Sequence, residues 1–203
     1  MTESKRLLLI DGNSVAFRAF FALYTALNSM TNADGLHTNA IFGFNRMLDI
    51  MLEDVKPTEA LVAFDAGKVT FRTKKYADYK GGRAKTPPEL SEQMPVIRQL
   101  LEARGIKSYE LKNYEADDII GTMAKQAEAA GYETTIFTGD RDLTQLTSDK
   151  TSVAVSKKGV TEVETYTPEH VEEKLGVRPD QIIEIKGLQG DNSDNYPGVT
   201  GVG

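Results

Sequence analysis

At 203 residues, with 27% charged and 40% hydrophobic residues and a formal net charge of −6, the chain can bury a core as one domain, or one plus a small appendage. It has no cysteine, which excludes disulfides, zinc–thiolate sites and cysteine nucleophiles and fits a reducing cytoplasm. No apolar run reaches membrane-spanning length, and Met1-Thr2-Glu3-Ser4-Lys5-Arg6 carries no signal-peptide pattern.

In chain order, residues 5–10 read as a buried strand ending in Asp11-Gly12-Asn13-Ser14. A helix follows over 14–27, with Asn13 or Ser14 as its N-cap. A polar loop over 28–38 leads to an amphipathic helix over 39–53, stopped before Pro57. Residues 59–64 form the next strand, ended by Asp65-Ala66-Gly67. From Lys68 to Lys85 there are seven basic residues against one acid, Asp78, with Phe71, Tyr76 and Tyr79 among them. Gly81-Gly82 and Pro87-Pro88 make this segment a flexible or partly helical excursion. A helix over 89–104 carries Pro95, predicting a kink or interruption. A strand over 106–111 precedes Tyr114-Glu115-Ala116-Asp117-Asp118 and a helix reaching Ala130. Residues 133–138 form another strand, ended by Gly139-Asp140-Arg141-Asp142. A hairpin over 151–156 and 160–166, helices opened by Pro168 and Pro179, and a turn-rich loop over 190–203 complete the chain.

Strands alternating with helices predict an α/β fold with a mostly parallel central sheet, whose active site lies beyond the carboxyl ends of its strands. Strands ending at Asp11, at Asp65, at Glu115, Asp117 and Asp118, and at Asp140 and Asp142 place acids on one rim. Asp191 and Asp194 bring the set to nine. Taken singly, each acid has a second reading: Asp11 and Asp65 as turn residues or caps, the acids after Tyr114 as a helix first turn, Asp140 and Asp142 as caps, and Asp191 and Asp194 as turn formers. Together they are too many to leave empty, since two carboxylates roughly 5 Å apart repel by about 3 kcal/mol at an effective dielectric near 20. Oxygen donors alone favour Mg²⁺ or Mn²⁺, and their number suggests two ions, an arrangement suited to in-line attack of water on a phosphodiester. The basic, aromatic excursion suits a single-stranded nucleic acid, against the commoner reading of a solvated loop. Gly198-Val199-Thr200-Gly201-Val202-Gly203 follows no strand and suits backbone contact with phosphates better than a dinucleotide site. His37 and His170 receive no role.

Leu8-Leu9-Ile10-Asp11-Gly12-Asn13-Ser14, Phe64-Asp65, Tyr79-Lys80-Gly81-Gly82-Arg83, Tyr114-Glu115-Ala116-Asp117-Asp118, Thr138-Gly139-Asp140-Arg141-Asp142 and Gly190-Asp191-Asn192-Ser193-Asp194-Asn195 together resemble the 5′ nuclease (flap endonuclease) family. The resemblance runs in order along the whole chain. It implies a PIN-like catalytic region over 1–166, a helical arch at about 69–90, and over 167–203 the start of a helix–three-turn–helix that family members continue further. It implies metal ligation by Asp11, Asp65, Glu115, Asp117, Asp118, Asp140, Asp142, Asp191 and Asp194, with two Mg²⁺ or Mn²⁺. Asp117 would be shared between the ions, and Lys80 and Arg83 would act on the scissile phosphate. Arg18, Arg72, Tyr79, Lys80, Arg83 and the glycines Gly198, Gly201 and Gly203 would contact DNA, with K⁺ at the glycine hairpin. The implied activity is 5′–3′ exonuclease and 5′-flap cleavage with RNA-primer removal, by a monomer in the bacterial cytoplasm at the nucleoid. The implied partner is DNA with a 5′ flap, nick or primer end, and in some members a polymerase domain follows in the same chain.

Overall fold

A computed structural model describes residues 4–159 and 161–202. It begins with β1 (Arg6–Asp11), α1 (Gly12–Ala22), α2 (Asn39–Val55), β2 (Glu59–Phe64), α3 (Phe71–Lys75), α4 (Pro88–Ser91) and α5 (Met94–Ala103). There follow β3 (Lys107–Glu110), α6 (Ala116–Ala129), β4 (Glu133–Thr138), β5 (Thr151–Ser156) and β6 (Val163–Tyr166). The chain then forms α7 (Pro168–Leu175), α8 (Ile182–Gln189) and a small ribbon of β7 (Gly190–Asp191) with β8 (Tyr196–Pro197).

The main sheet has the order β3-β2-β1-β4-β5-β6, parallel throughout except for β6, which runs antiparallel to β5. From β1 the chain builds outward through β2 and β3, then returns to add β4 on the other side. This puts the switch point between β1 and β4, where open α/β sheets bind their ligands. β1 is covered on both faces, which explains its unbroken apolar run. Leu8 and Ile10 pack with Phe20, Phe44, Phe64 and Leu101 on one face. Leu7 and Leu9 pack with Ile119, Ile136 and Val153 on the other. Every residue of β3 is exposed, and Lys107 opens this edge strand. Among the described residues no helix is long and apolar enough to cross a membrane.

Several expectations change in detail. The first helix starts at Gly12, so Asp11 is its N-cap and accepts a hydrogen bond from Ser14 N. Asn13, expected to cap, instead accepts from Asp65 N at 3.0 Å. Beyond Ala22 the helix gives way to a 3-10 stretch, Tyr24–Ser29. The helix expected over 89–104 is interrupted, and Pro95 sits in the first turn of α5, where its missing N–H costs no hydrogen bond. Residues 190–197, expected as loop, pair as a ribbon through Gly190–Pro197 and Asp191–Tyr196. Of the hairpin expected over 160–166, β6 starts only at Val163, and Val160 lies outside the described residues.

The start of α2 has no side-chain bond from its own N-cap, Thr38. Gln93, fully buried, does that work from between α4 and α5. Its Oε1 accepts from Ala40 N (2.8 Å) and Ile41 N (3.1 Å), while its Nε2 donates to Asn39 Oδ1 and Glu89 O. Gln93→Leu nearly keeps the volume but strips the partner from the buried Ala40 N–H and the part-buried Ile41 N–H, and is expected to lower unfolding free energy by about 3 kcal/mol. Urea denaturation measures this, and a loss below about 1 kcal/mol would mean that water replaces the amide.

Candidate metal centre and nucleic-acid interface

The carboxyl ends of β1, β2 and β4 and the start of α6 bring four acids into mutual range. Asp11 is 6% exposed. Its Oδ1 accepts from Ser14 N and its Oδ2 from Thr138 Oγ1, both at 3.0 Å. Burial, reinforced by the charges of Asp65 and Asp140, pushes its carboxyl up to about 6 against the pull of those two hydrogen bonds. Asp117, in the first turn of α6, is raised well above the usual range by burial and then by Asp11, Asp140 and Asp65, with Lys80 opposing. Asp65 Oδ1 accepts from Ala116 N at 2.8 Å, so the positive end of α6 holds it in place. Asp140 Oδ1 accepts from Asp142 N and caps the 3-10 turn Arg141–Leu146. The capping roles that rivalled a metal role are therefore real, and they are what point these carboxylates at one another.

The basic excursion folds back over this rim. Arg72 forks onto Asp118 with two bonds of 2.8 Å. Asp118 also accepts from Glu115 N, so its carboxylate is held by Arg72 and by its own helix start. This fork keeps the Asp118 carboxyl below its ordinary value despite its burial. Lys80 Nζ lies 2.9 Å from Glu115 Oε2, which also accepts from Tyr79 Oη at 3.2 Å. Lys80 adopts φ 57°, a left-handed conformation costing a non-glycine residue about 1 kcal/mol, and its backbone N–H donates to Asp194 O. Arg83 Nη2 meets Asp194 Oδ1 at 2.6 Å and its Nε donates to Ser193 O. Tyr76 Oη donates to Asn195 O, and Asn195 Nδ2 donates to Asp78 O. The excursion is thus bound both to α6 and to the loop between β7 and β8.

The outer acids are bridged from α8. Lys186 Nζ stands 2.9 Å from Asp142 Oδ1 and 2.6 Å from Asp191 Oδ2. Asp191 is drawn below its usual range by Lys186 and by Ser193, whose N and Oγ both donate to Oδ1. Asp142 is raised by burial, which Lys186 only partly offsets.

All the predicted acids lie along one edge, as an inner set (Asp11, Asp65, Asp117, Asp140), a set bound to the basic excursion (Glu115, Asp118, Asp194) and an outer set (Asp142, Asp191). Arg18 stands apart from the basic excursion, its Nε donating to Gly159 O at the β5–β6 turn. Gly198 touches the end of α8 so closely that a Cβ would fall 2.2 Å from the Gln189 carbonyl. Gly201 has φ +84° beyond β8, and Gly203 lies outside the described residues. Among the described residues no three acids or histidines close to the spacing that would enclose an ion. The residues nonetheless fit divalent ions: the donors are hard oxygens, and Asp11 and Asp117 carry repulsion that a cation would relieve. Sequence reasoning missed Lys186, Thr138 and Asn195. The aromatics of the basic excursion are engaged within the protein, with Phe71 against Tyr114 at 5.7 Å and beneath Arg72.

Residues 6–176 match the family described as 5′-3′ exonuclease, N-terminal resolvase-like domain. DNA polymerase I of Bacillus subtilis is 64% identical over the whole chain, which spans 23% of that relative's length. A bacteriophage T5 flap endonuclease solved as a pseudo-enzyme–product complex with DNA and metal ions superposes with a TM-score of 0.75 at 24% identity, over 98% of this chain and 71% of that one. T5 5′-exonuclease with bound divalent zinc gives 0.73 at 23% identity, over 98% of this chain and 72% of that one. At such identities the likeness to the phage proteins is one of fold.

Proposed function

This chain belongs to the 5′–3′ exonuclease family, and on that premise we propose that it is the nuclease part of a longer protein, cleaving DNA phosphodiesters at 5′ ends and 5′ flaps by two-metal-ion catalysis. One observation carries the reading: Asp11, Asp65, Asp117 and Asp140 gather at the carboxyl ends of the sheet strands, next to Glu115, which Lys80 and Tyr79 of the basic excursion hold. Asp11, Asp65, Asp117 and Asp140, with Glu115, would hold one Mg²⁺ or Mn²⁺, and Asp142, Asp191, Asp194 and Asp118 would complete a second site sharing Asp117. Bound ions would activate the attacking water and neutralise charge on the leaving oxygen.

The protein's own groups bind and orient. Lys80 and Arg83 leave Glu115 and Asp194 to pair with the scissile phosphate, as those acids turn to the ions. Tyr79 stacks on a displaced base, and Arg72, fixed by Asp118, anchors the near end of the arch. Arg18 meets the backbone on the β5–β6 side. Residues 167–203 begin a helix–three-turn–helix whose glycine turn at Gly198 and Gly201 presents backbone N–H groups to duplex phosphates, with K⁺ beside it. The substrates are nicks, flaps and RNA-primer ends met during replication and repair by a monomer in the bacterial cytoplasm, with a polymerase domain following in the same chain.

Rates on a 5′-flap DNA duplex, single-stranded DNA and an RNA hairpin, in Mg²⁺ and in Mn²⁺, test this reading. The flap is expected to be cut at least about tenfold faster than the others. Preference for the RNA hairpin would make the chain a PIN-type ribonuclease, and flap binding without cleavage in either metal would make it a junction-binding module.

A further inference from the structure

The outer acids already have a cation of their own. Lys186 leaves α8 with its backbone oxygen accepting from Tyr196 Oη at 2.9 Å, and its ammonium reaches both Asp142 and Asp191. Its side chain is two-thirds buried, and that of Asp191 is only 8% exposed. The remaining oxygen of Asp191 is taken by Ser193 N (2.8 Å) and Ser193 Oγ (2.7 Å). As folded, then, Oδ1 of Asp191 is taken by its own loop, and a new cation approaching Oδ2 meets the Lys186 ammonium there. The inner acids differ: Asp11 accepts from Ser14 N and Thr138 Oγ1 and Asp65 from Ala116 N, and among the described residues no lysine or arginine is paired with Asp11, Asp65, Asp117 or Asp140, the Lys80 ammonium being bonded to Glu115.

We infer that Lys186 is a tethered counter-ion for the outer site, which a divalent ion must displace to reach Asp142 and Asp191. The inference rests on the two-metal reading above. Its consequence is sequential loading, with the inner site filling first and the outer site held weak until the ammonium moves off. The lysine stem is flexible and substrate phosphates offer it other acceptors, so the ammonium can move off. A lysine that only pinned α8 to the turn after β4 would favour metal binding by preorganising Asp142 and Asp191, so the two roles predict opposite signs.

Lys186→Met keeps the stem and removes the charge, and Lys186→Gln serves as a second variant, each checked for folding by circular dichroism. Mn²⁺ binding to the full chain, without DNA, is followed by electron paramagnetic resonance and by the rise in melting temperature on titration. The unaltered protein is expected to bind one Mn²⁺ tightly and a second weakly. In both variants the second site should tighten by about tenfold or more, the equivalent of losing one charge-assisted hydrogen bond. The first site should stay within about twofold, and Lys186→Arg should bind as the unaltered protein does. Two ions with the second unchanged or weaker in the variants would overturn the role of Lys186 alone. No Mn²⁺ bound by any of these proteins would overturn the two-metal reading, and this inference with it.

Discussion

Asp117→Asn is expected to cut Mg²⁺-dependent flap cleavage by about a thousandfold or more while leaving the protein folded and at least as heat-stable as before. Removing one pre-placed charge from a catalytic centre commonly costs a hundred- to a thousandfold, and a ligand shared by two ions sits at the upper end. Stability moves the other way because Asp117 is a cost to the metal-free fold. Its charge is disfavoured by burial and by Asp11, Asp140 and Asp65. Asparagine keeps the shape and relieves Asp11 as well. Activity losses are ambiguous when a variant also unfolds, and this pairing of lost turnover with an unchanged or higher melting temperature avoids that. Cleavage near the original rate, or a melting temperature several degrees lower, would count against a charge role for Asp117.

The second large effect is on the fold beneath the site. Phe64 is fully buried at the end of β2, immediately before Asp65. Its ring presses on Gly12, where a Cβ would fall only 2.4 Å away, and the Arg98 guanidinium covers it at 4.2 Å. It therefore fills the space between the two chain segments that deliver Asp11 and Asp65. Phe64→Ala is expected to cost about 3–5 kcal/mol, or on the order of 10 °C in melting temperature for a domain of this size. Guanidinium unfolding would measure it. A cost below about 1.5 kcal/mol would mean that the cavity collapses, with α1 settling onto β2.

Much of this was legible beforehand, for physical reasons. β1 and β2 are short apolar runs ended by acid and glycine, and burial on both faces leaves such strands little other composition, while β4 shows the same acid-and-glycine end after a β-branched stretch around Ile136 and Phe137. The acid rim followed from that topology without any side-chain geometry. What stayed hidden depended on one-residue choices or on distant partners. Whether Asp11, Asn13 or Ser14 caps α1 turns on where the helix starts, a choice of one or two residues that the local pattern leaves open. The fork of Arg72 on Asp118 and the bridge from Lys186 to Asp142 join elements far apart in sequence, with no local pattern to announce them. The β7–β8 ribbon has two residues a side and no alternation, so it looks like loop until its backbone pairing is seen. The aromatics of the basic segment looked like open platforms because nothing local showed that Tyr76 and Tyr79 are hydrogen-bonded back to Asn195 and Glu115.

The most direct test of the two-metal account is a crystal structure of this chain with Mn²⁺, using anomalous scattering to place the ions. The account predicts two ions at the carboxyl edge of the sheet, one among Asp11, Asp65, Asp117 and Asp140 and the other toward Asp142 and Asp191, with Lys186 swung away from both acids. A fully soaked crystal with Lys186 still bridging Asp142 and Asp191, and no ion among the inner four, would contradict it.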